Sequence, residues 1–413
     1  MNYKNNISSE TPNKGFQWLL IIFLFLEYVR PEGIAQLRLQ SVIIVIMAVA
    51  FIFSNNRPKS AIITAQLVFF LVIAKSLPFA TNNYAVYQIL ITMFGYLSIS
   101  CAFAWLMSTK RSFHLIIWIW VIVTTYCAAY GMTHGGRGPG GYTGDENDLA
   151  LACIVALPVT LFGFDYFQGW KRWGSLSIGV ILSAGIIASF SRGGFIGFAF
   201  VVLHYFFLSG KKLQKVTMFV IFLGAFFMLS PPEYIDEIKS IQTDSSIESG
   251  SDSTGLQRFY LWATATNMFL SNPIMGVGAG NFDYLAGIYQ PTEGDWPPSF
   301  FDRSWSGTTI HSAYFQLLSE LAIPGVIVFI YLLWKCYQTI KLIRHDIISD
   351  TEIPGDVKNY AVYYSAALTG GIIGYLSSGA FLSVIYYPHL WFLSAMIIAL
   401  DASTKREIIM NSE

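Results

Sequence analysis

Long apolar stretches separated by short polar segments make up most of the chain. Most are close to the roughly 20 apolar residues that a helix needs to cross a bilayer, and the charged residues fall mainly between them. This pattern predicts an all-α polytopic membrane protein with about twelve transmembrane helices. The predicted helices lie near residues 16–29, 35–54, 60–79, 83–107, 113–132, 148–166, 173–190, 193–209, 214–230, 312–334, 360–384 and 386–401.

The composition excludes several classes of protein. Of the 413 residues, 54% are hydrophobic and only 12% are charged, about half the roughly 25% that is usual in soluble domains. A soluble enzyme, a secreted disulfide scaffold and a disordered chain are therefore excluded. The 25 basic and 25 acidic residues cancel, so there is no sign of a nucleic-acid-binding surface. We expect a single integral membrane domain over residues 1–413.

The distribution of basic residues predicts the orientation. Cytoplasmic loops of membrane proteins are enriched in lysine and arginine, and 17 of the 25 basic residues become cytoplasmic if the N-terminus is inside. Both termini are then cytoplasmic. Six of the eight external basic residues are arginine, whose planar guanidinium binds phosphate through two parallel hydrogen bonds. For Arg30, Arg38 and Arg303, an interfacial anchor or a surface ion pair is the favoured explanation.

Two external loops carry most of the candidate chemistry. Residues 133–147 form a short glycine-rich loop, and residues 231–310 form a long loop with ten acidic and three basic residues, a net charge of −7. Apolar residues recur at helical spacing over about 254–272, before Pro273, and predict a short amphipathic helix in the long loop. This helix carries Arg258 and is expected to lie on the membrane surface or against the bundle.

Arg192 lies in the segment Ser189-Phe-Ser-Arg-Gly-Gly194, at the external junction of the seventh and eighth predicted helices. With almost no loop around it, the arginine must lie near the bilayer boundary, where an ionisable residue is costly unless it has a partner. The glycines allow close backbone approach, and a helix N-terminus beside a guanidinium group forms an anion site. The alternative is an arginine that extends toward the lipid headgroups.

The glycine-rich loop contributes second-rank candidates, namely Arg137, Asp145 and Asp148. Either aspartate could act as a base or accept a sugar hydroxyl, but Asn147 or Asp148 could instead cap the helix that follows. A second glycine-rich segment, Gly276–Gly280, follows a helix rather than a strand. It is therefore predicted to be a turn and not a dinucleotide site.

His311 stands where the long loop re-enters the membrane, and none of the other five histidines has such a context. A neutral imidazole at this place could take a proton from an acceptor hydroxyl, although a lone histidine can also be structural. The four cysteines lie in apolar stretches and are expected to be buried hydrophobes. No Cys/His or HExxH spacing is present, so neither a metal nor a cofactor is expected.

Together these segments resemble the O-antigen ligase and O-antigen polymerase superfamily of bacterial envelopes. Ser191-Arg192-Gly193 is similar to its Ser-Arg-Gly motif, and Arg258 with Trp262 and the turn up to Phe282 is similar to its loop helix and turn. His311-Ser312 followed by Ala322 and Gly325 resembles its histidine motif. The family usually has glycine at the position of Ala322, a difference expected to be sterically mild. The stretch Gly144–Leu151 is also similar, and the resemblance covers roughly 130–335.

The resemblance implies a glycosyltransferase of the bacterial inner membrane that uses a glycan donor linked to undecaprenyl diphosphate at the periplasmic face. Arg192 and Arg258 would hold the diphosphate, and His311 would activate the acceptor hydroxyl, which belongs to a glycan, a lipid or a protein. Transfer would be independent of metal and cofactor, either joining a finished glycan to an acceptor or polymerising repeat units.

A transporter or flippase of lipid-linked oligosaccharides is the alternative interpretation. Such a protein is expected to line an aqueous path with polar or ionisable residues deep in several helices. The predicted helices here are nearly free of charge, with Glu320 and Lys75 as the main exceptions. This distribution favours the enzyme.

Overall fold

The computed structural model describes residues 13–31, 33, 36–54, 57–208, 254–349 and 352–411. Every long element within these ranges is an α-helix, which confirms the predicted all-α class. The helices are α1 (Lys14–Tyr28), α2 (Leu39–Phe53), α3 (Ala61–Lys75), α4 (Asn83–Leu106), α5 (Lys110–Gly131), α6 (Glu146–Tyr166), α7 (Trp170–Ala188), α8 (Arg192–Leu208), α9 (Thr254–Ser271), α10 (Phe282–Tyr289), α11 (Pro298–Phe301), α12 (Ala313–Ser349), α13 (Gly355–Gly379) and α14 (Pro388–Asn411).

Four helices, α4, α5, α6 and α12, are long and apolar enough to cross a membrane, and α2, α3 and α8 are shorter apolar helices. The chain is therefore a multi-pass membrane protein. Eleven of the twelve predicted windows overlap a helix of the described residues. The window 214–230 and the first part of the predicted long loop lie outside those residues.

Helix α6 forms the centre of the bundle. In its most apolar window 83% of the residues are buried, compared with 50% for α5, as expected for a helix that is hydrophobic on all sides. It packs against α7, α8 and α13, while α14 packs against α4. The four cysteines are free and buried, as predicted.

On one side of the bundle, the C-terminal end of α1 contacts the connection before α6, and the connection after α3 contacts the turn after α9. We call this side the site end. There the hydroxyl of Thr143 donates to the carbonyl of Tyr28 at 2.9 Å, and the N–H of Ala279 contacts the hydroxyl of Ser76 at 3.4 Å. Helices α9 to α11 add a small apolar core of their own on this side, which includes Tyr260, Phe282 and Trp305. Helix α9 thus confirms the predicted helix near 254–272.

The glycine-rich segment Gly276–Gly280 is a turn, as predicted, and it is fastened to a break in α12. The N–H of Val277 donates to the carbonyl of Ser319 at 2.9 Å, and the N–H of Gly278 donates to that of Glu320 at 3.0 Å. The buried carboxylate of Glu320 accepts the N–H of Gly280 at 2.9 Å and that of Phe282 at 3.2 Å. Glu320 therefore ties the segment 254–312 to the bundle.

Helix α12 breaks at Ala322, whose backbone has φ 52° and ψ −152°. This conformation is rarely adopted by residues other than glycine. The expectation that alanine is a mild replacement here is wrong, because the cost arises in the backbone and not in the space around the methyl group. The break lets the carbonyls of Ser319 and Glu320 accept hydrogen bonds from the turn.

Replacing Ala322 with glycine is expected to stabilise the protein by about 1 kcal/mol, because alanine at a positive φ costs more than the flexibility of glycine in the unfolded chain. Thermal unfolding of the protein in lipid nanodiscs measures the change. Ala399, buried in the middle of α14, is the matched control, and its replacement with glycine should destabilise by about 1 kcal/mol. A lower unfolding temperature for Ala322→Gly than for the wild type would contradict this account of the break.

Candidate active site

Arg192 is the first residue of α8 and lies at the site end. Its neighbour Ser191 is buried, donates to the side-chain oxygen of Asn147 at 2.7 Å and accepts the N–H of Gly194 at 3.1 Å. A side chain at position 194 would collide with Ala150 of α6. The Ser-Arg-Gly segment is thus held against the N-terminal end of α6, and Arg192 is fixed where a helix N-terminus favours anions.

Arg258 projects from α9 and is close enough to Arg192 for the two charges to repel. Partial burial, followed by the charge of Arg192, lowers the pKa of the Arg258 guanidinium below its ordinary value. Arginine nevertheless stays protonated in proteins. Two cations brought together on separate elements make a site that is suited to an anion with more than one charge.

His311 lies two residues before the start of α12 and is half-buried at the same end. Burial and, to a lesser degree, the charge of Arg258 lower the pKa of its imidazole, while Asp145 raises it. The backbone of His311 has a φ of 52°, in the left-handed region that few non-glycine residues adopt. Because the pKa of the imidazole is lowered from its ordinary value, the ring is neutral at neutral pH and can accept a proton.

The three second-rank candidates have different surroundings. Arg137 is exposed and forms an ion pair with Glu146, with 2.7 Å between Nε and Oε1. Asp145 caps α6 by accepting the N–H of Asn147 at 2.9 Å, so the cap expected at position 147 or 148 lies at 145. Asp148 is half-buried and accepts the hydroxyl of Tyr387 at 3.0 Å.

Several residues that the sequence analysis did not name as site candidates support the candidate site. Asn147 holds Ser191. The indole N–H of Trp262 donates to the carbonyl of Ile310 at 3.2 Å, and its ring stacks on Phe315 with centroids 5.0 Å apart. Of these residues, only Trp262 could have been found from the sequence, since it stands one helical turn from Arg258. The other contacts join positions far apart in the chain.

The arrangement combines two cations with a neutral base. The guanidinium groups can stabilise negative charge that develops on a leaving group, and the imidazole can remove a proton from a nucleophile. Asp283 adds a half-buried carboxyl near the histidine segment. Its pKa is raised to about 6 by burial, against a hydrogen bond from Thr309 that lowers it. The chemistry that fits is transfer of a group away from an anionic leaving group.

Comparison with protein-family models gives a match over part of the chain. Residues 177–330 match the family model described as O-antigen ligase, a stretch that contains Arg192, Arg258 and His311. No curated protein matches the chain. The match supports the resemblance of residues 177–330 to the O-antigen ligase/polymerase superfamily.

Proposed function

We propose that the chain is a membrane glycosyltransferase that transfers or polymerises a glycan carried on undecaprenyl diphosphate, onto an acceptor hydroxyl at the periplasmic face. The observation that carries the proposal is that Arg258 on α9 interacts electrostatically with both Arg192 on α8 and His311 before α12. The acceptor is a glycan, a lipid or a protein hydroxyl. The proposal includes cytoplasmic termini and a location in the bacterial inner membrane.

In the proposed reaction the acceptor oxygen attacks the anomeric carbon of the donor sugar. The bond between that carbon and the diphosphate oxygen breaks, the hydroxyl proton passes to His311, and the diphosphate leaves with its added negative charge. Arg192 and Arg258 stabilise that charge in the transition state. Attack opposite the leaving group inverts the anomeric configuration. The exposed Asp145 and the Asp148–Tyr387 pair, on the same side of the bundle, are the candidates for binding sugar hydroxyls.

The test uses a strain of the source organism that lacks the chain, restored with the wild type, His311→Ala or Arg192→Ala at equal protein levels. Carrier-linked and finished surface glycans are separated by length. Long glycans that accumulate on the carrier identify a ligase, whereas single repeat units on the outward-facing carrier identify a polymerase. Normal glycans in both variants would overturn the assignment and favour the transporter.

The pH dependence of turnover should reflect His311. Because only the neutral imidazole accepts a proton, we expect activity to rise with pH through an apparent pKa below the ordinary value of about 6.5. Removing the negative charge with Asp145→Asn should move this limb to lower pH, and removing the positive charge with Arg258→Gln should move it to higher pH. Initial rates between pH 4.5 and 8.5 measure both shifts, and an unchanged limb in both variants would exclude His311 as the titrating group.

A further inference from the structure

The connector between α13 and α14, residues 380–387, contacts every element of the candidate site although it lies outside the segment 177–330. It is apolar apart from its serine and tyrosines. Each of its polar side chains bonds a different part of the site end. The contacts run from Ser383 to His311, from Tyr386 to Glu320 and from Tyr387 to Asp148.

The connector also reaches the two arginine-bearing helices through Phe381. A side chain added at Gly193, next to Arg192, would meet Phe381 at 3.0 Å. The ring of Phe381 lies 6.4 Å from that of Trp262 on α9. The connector is thus packed between the elements that carry Arg192, Arg258 and His311.

The bond from His311 to Ser383 acts on a single peptide group. The N–H of His311 donates to the hydroxyl of Ser383 at 2.9 Å, and the carbonyl of Ile310, in the same peptide unit, accepts the indole N–H of Trp262 at 3.2 Å. Both polar ends of this peptide are therefore held by side chains from other elements. Rotation of the peptide would break both hydrogen bonds.

This restraint matters because His311 has a φ of 52°. A non-glycine residue stays in the left-handed region only when its surroundings hold it there. The direction of its side chain follows from that backbone conformation. If the bond to Ser383 is lost, the peptide can relax to an ordinary conformation and the imidazole changes direction.

We infer that Ser383 is a positioning residue that aims the imidazole of His311 by fixing the Ile310–His311 peptide. The inference rests on the proposed function, because it assigns His311 the role of base. It extends the machinery beyond the segment 177–330 to the connector 380–387. A displacement of about 1 Å of a reacting group can lower a rate about 100-fold, so a single hydroxyl can have a large effect.

The test measures transfer by the purified full chain, with solubilised membranes of the deletion strain as the source of donor and acceptor. Ser383→Ala should lower kcat about 10- to 100-fold and leave KM for the donor within about twofold, because Arg192 and Arg258 are untouched. Ser383→Thr keeps a hydroxyl and should recover most of the rate. Ser377→Ala is the matched control, since this half-buried serine donates only within its own helix, to Ile373 at 2.7 Å, and it should behave as the wild type.

A double-mutant cycle separates positioning from a general structural effect. In a His311→Ala background, Ser383→Ala should have no further effect on kcat. Trp262→Phe keeps an aromatic ring but removes the donor to Ile310. It should lower kcat by itself and should not add to the effect of Ser383→Ala. This second variant also serves if Ser383→Ala does not fold.

Each outcome of the cycle decides a different question. Equal losses from Ser383→Ala with and without His311 would overturn the positioning role and leave the proposed function standing. Wild-type kcat of Ser383→Ala together with an inactive His311→Ala would also overturn the positioning role and leave the proposed function standing. Wild-type activity of His311→Ala itself would overturn the proposed function, and the positioning role with it.

Discussion

Replacement of His311 with glutamine should lower the turnover of glycan transfer by about 10²- to 10⁴-fold, the usual contribution of a positioned general base. Glutamine is similar in size and polar, but it cannot take up the proton of an attacking hydroxyl. Binding of the donor should change little, because the two arginines remain. Single-turnover transfer from the carrier-linked glycan, measured at saturating donor, isolates this step.

His134 provides the control for this replacement. It lies exposed in the connection 132–145 on the same side of the bundle, where its ring nitrogen contacts the carbonyl of Tyr130 at 2.9 Å. His134→Gln should therefore keep wild-type turnover. A loss below about threefold in His311→Gln would mean that the acceptor is activated by another group, and the half-buried Asp148 would become the first residue to test.

Loss of either arginine should produce the second large effect. We expect Arg192→Ala and Arg258→Ala each to lower kcat/KM about 10²- to 10³-fold, the usual cost of removing one donor that stabilises transition-state charge. Lysine at either position should recover only part of the loss, because it retains the charge but lacks the planar fork that binds two phosphate oxygens. Transfer rates over a range of donor concentrations give the separate effects on kcat and KM.

Inorganic diphosphate offers a readout that does not depend on the acceptor. It should inhibit the wild type by competing with the donor, and inhibition should weaken in both alanine variants. Arg303→Ala is the control, because the guanidinium of Arg303 is exposed and stacks over the ring of Trp305 at 3.7 Å. Inhibition that is equally strong in the wild type and in all three variants would exclude the two arginines as the diphosphate site.

The helices of this protein could be predicted because lipid-facing and buried helices are both apolar, so hydropathy alone locates them. The candidate arginines and His311 could also be found, since charges at helix ends stand out in an apolar chain. Ser383 could not, because the connector 380–387 is nearly as apolar as the helices on either side and was included in their predicted windows. Its turn is defined by contacts with residues such as His311, which is 72 positions away.

Backbone conformation was the other property that the sequence did not reveal. Alanine at position 322 predicts an ordinary helical residue. Its unusual φ depends on the distant turn at Gly276–Gly280, whose N–H groups donate to the carbonyls of Ser319 and Glu320. The cap of α6 was misplaced by two or three residues for a related reason. Asp145, Asn147 and Asp148 are all good caps, and the choice depends on Ser191 and Tyr387, which engage the latter two.

The distribution of the contacts to Glu320, Asp148 and Ser383 limits how this protein can be recombined with its relatives. Residues 177–330 include both arginines and His311, but they are not a transferable module. Their contacts with Asn147, Ser383 and Tyr386 are made to residues outside the segment. A chimaera that exchanges only this segment would import the proposed reactive groups without the residues that support them. We therefore expect the smallest exchangeable unit to add the N-terminal turn of α6 and the connector 380–387.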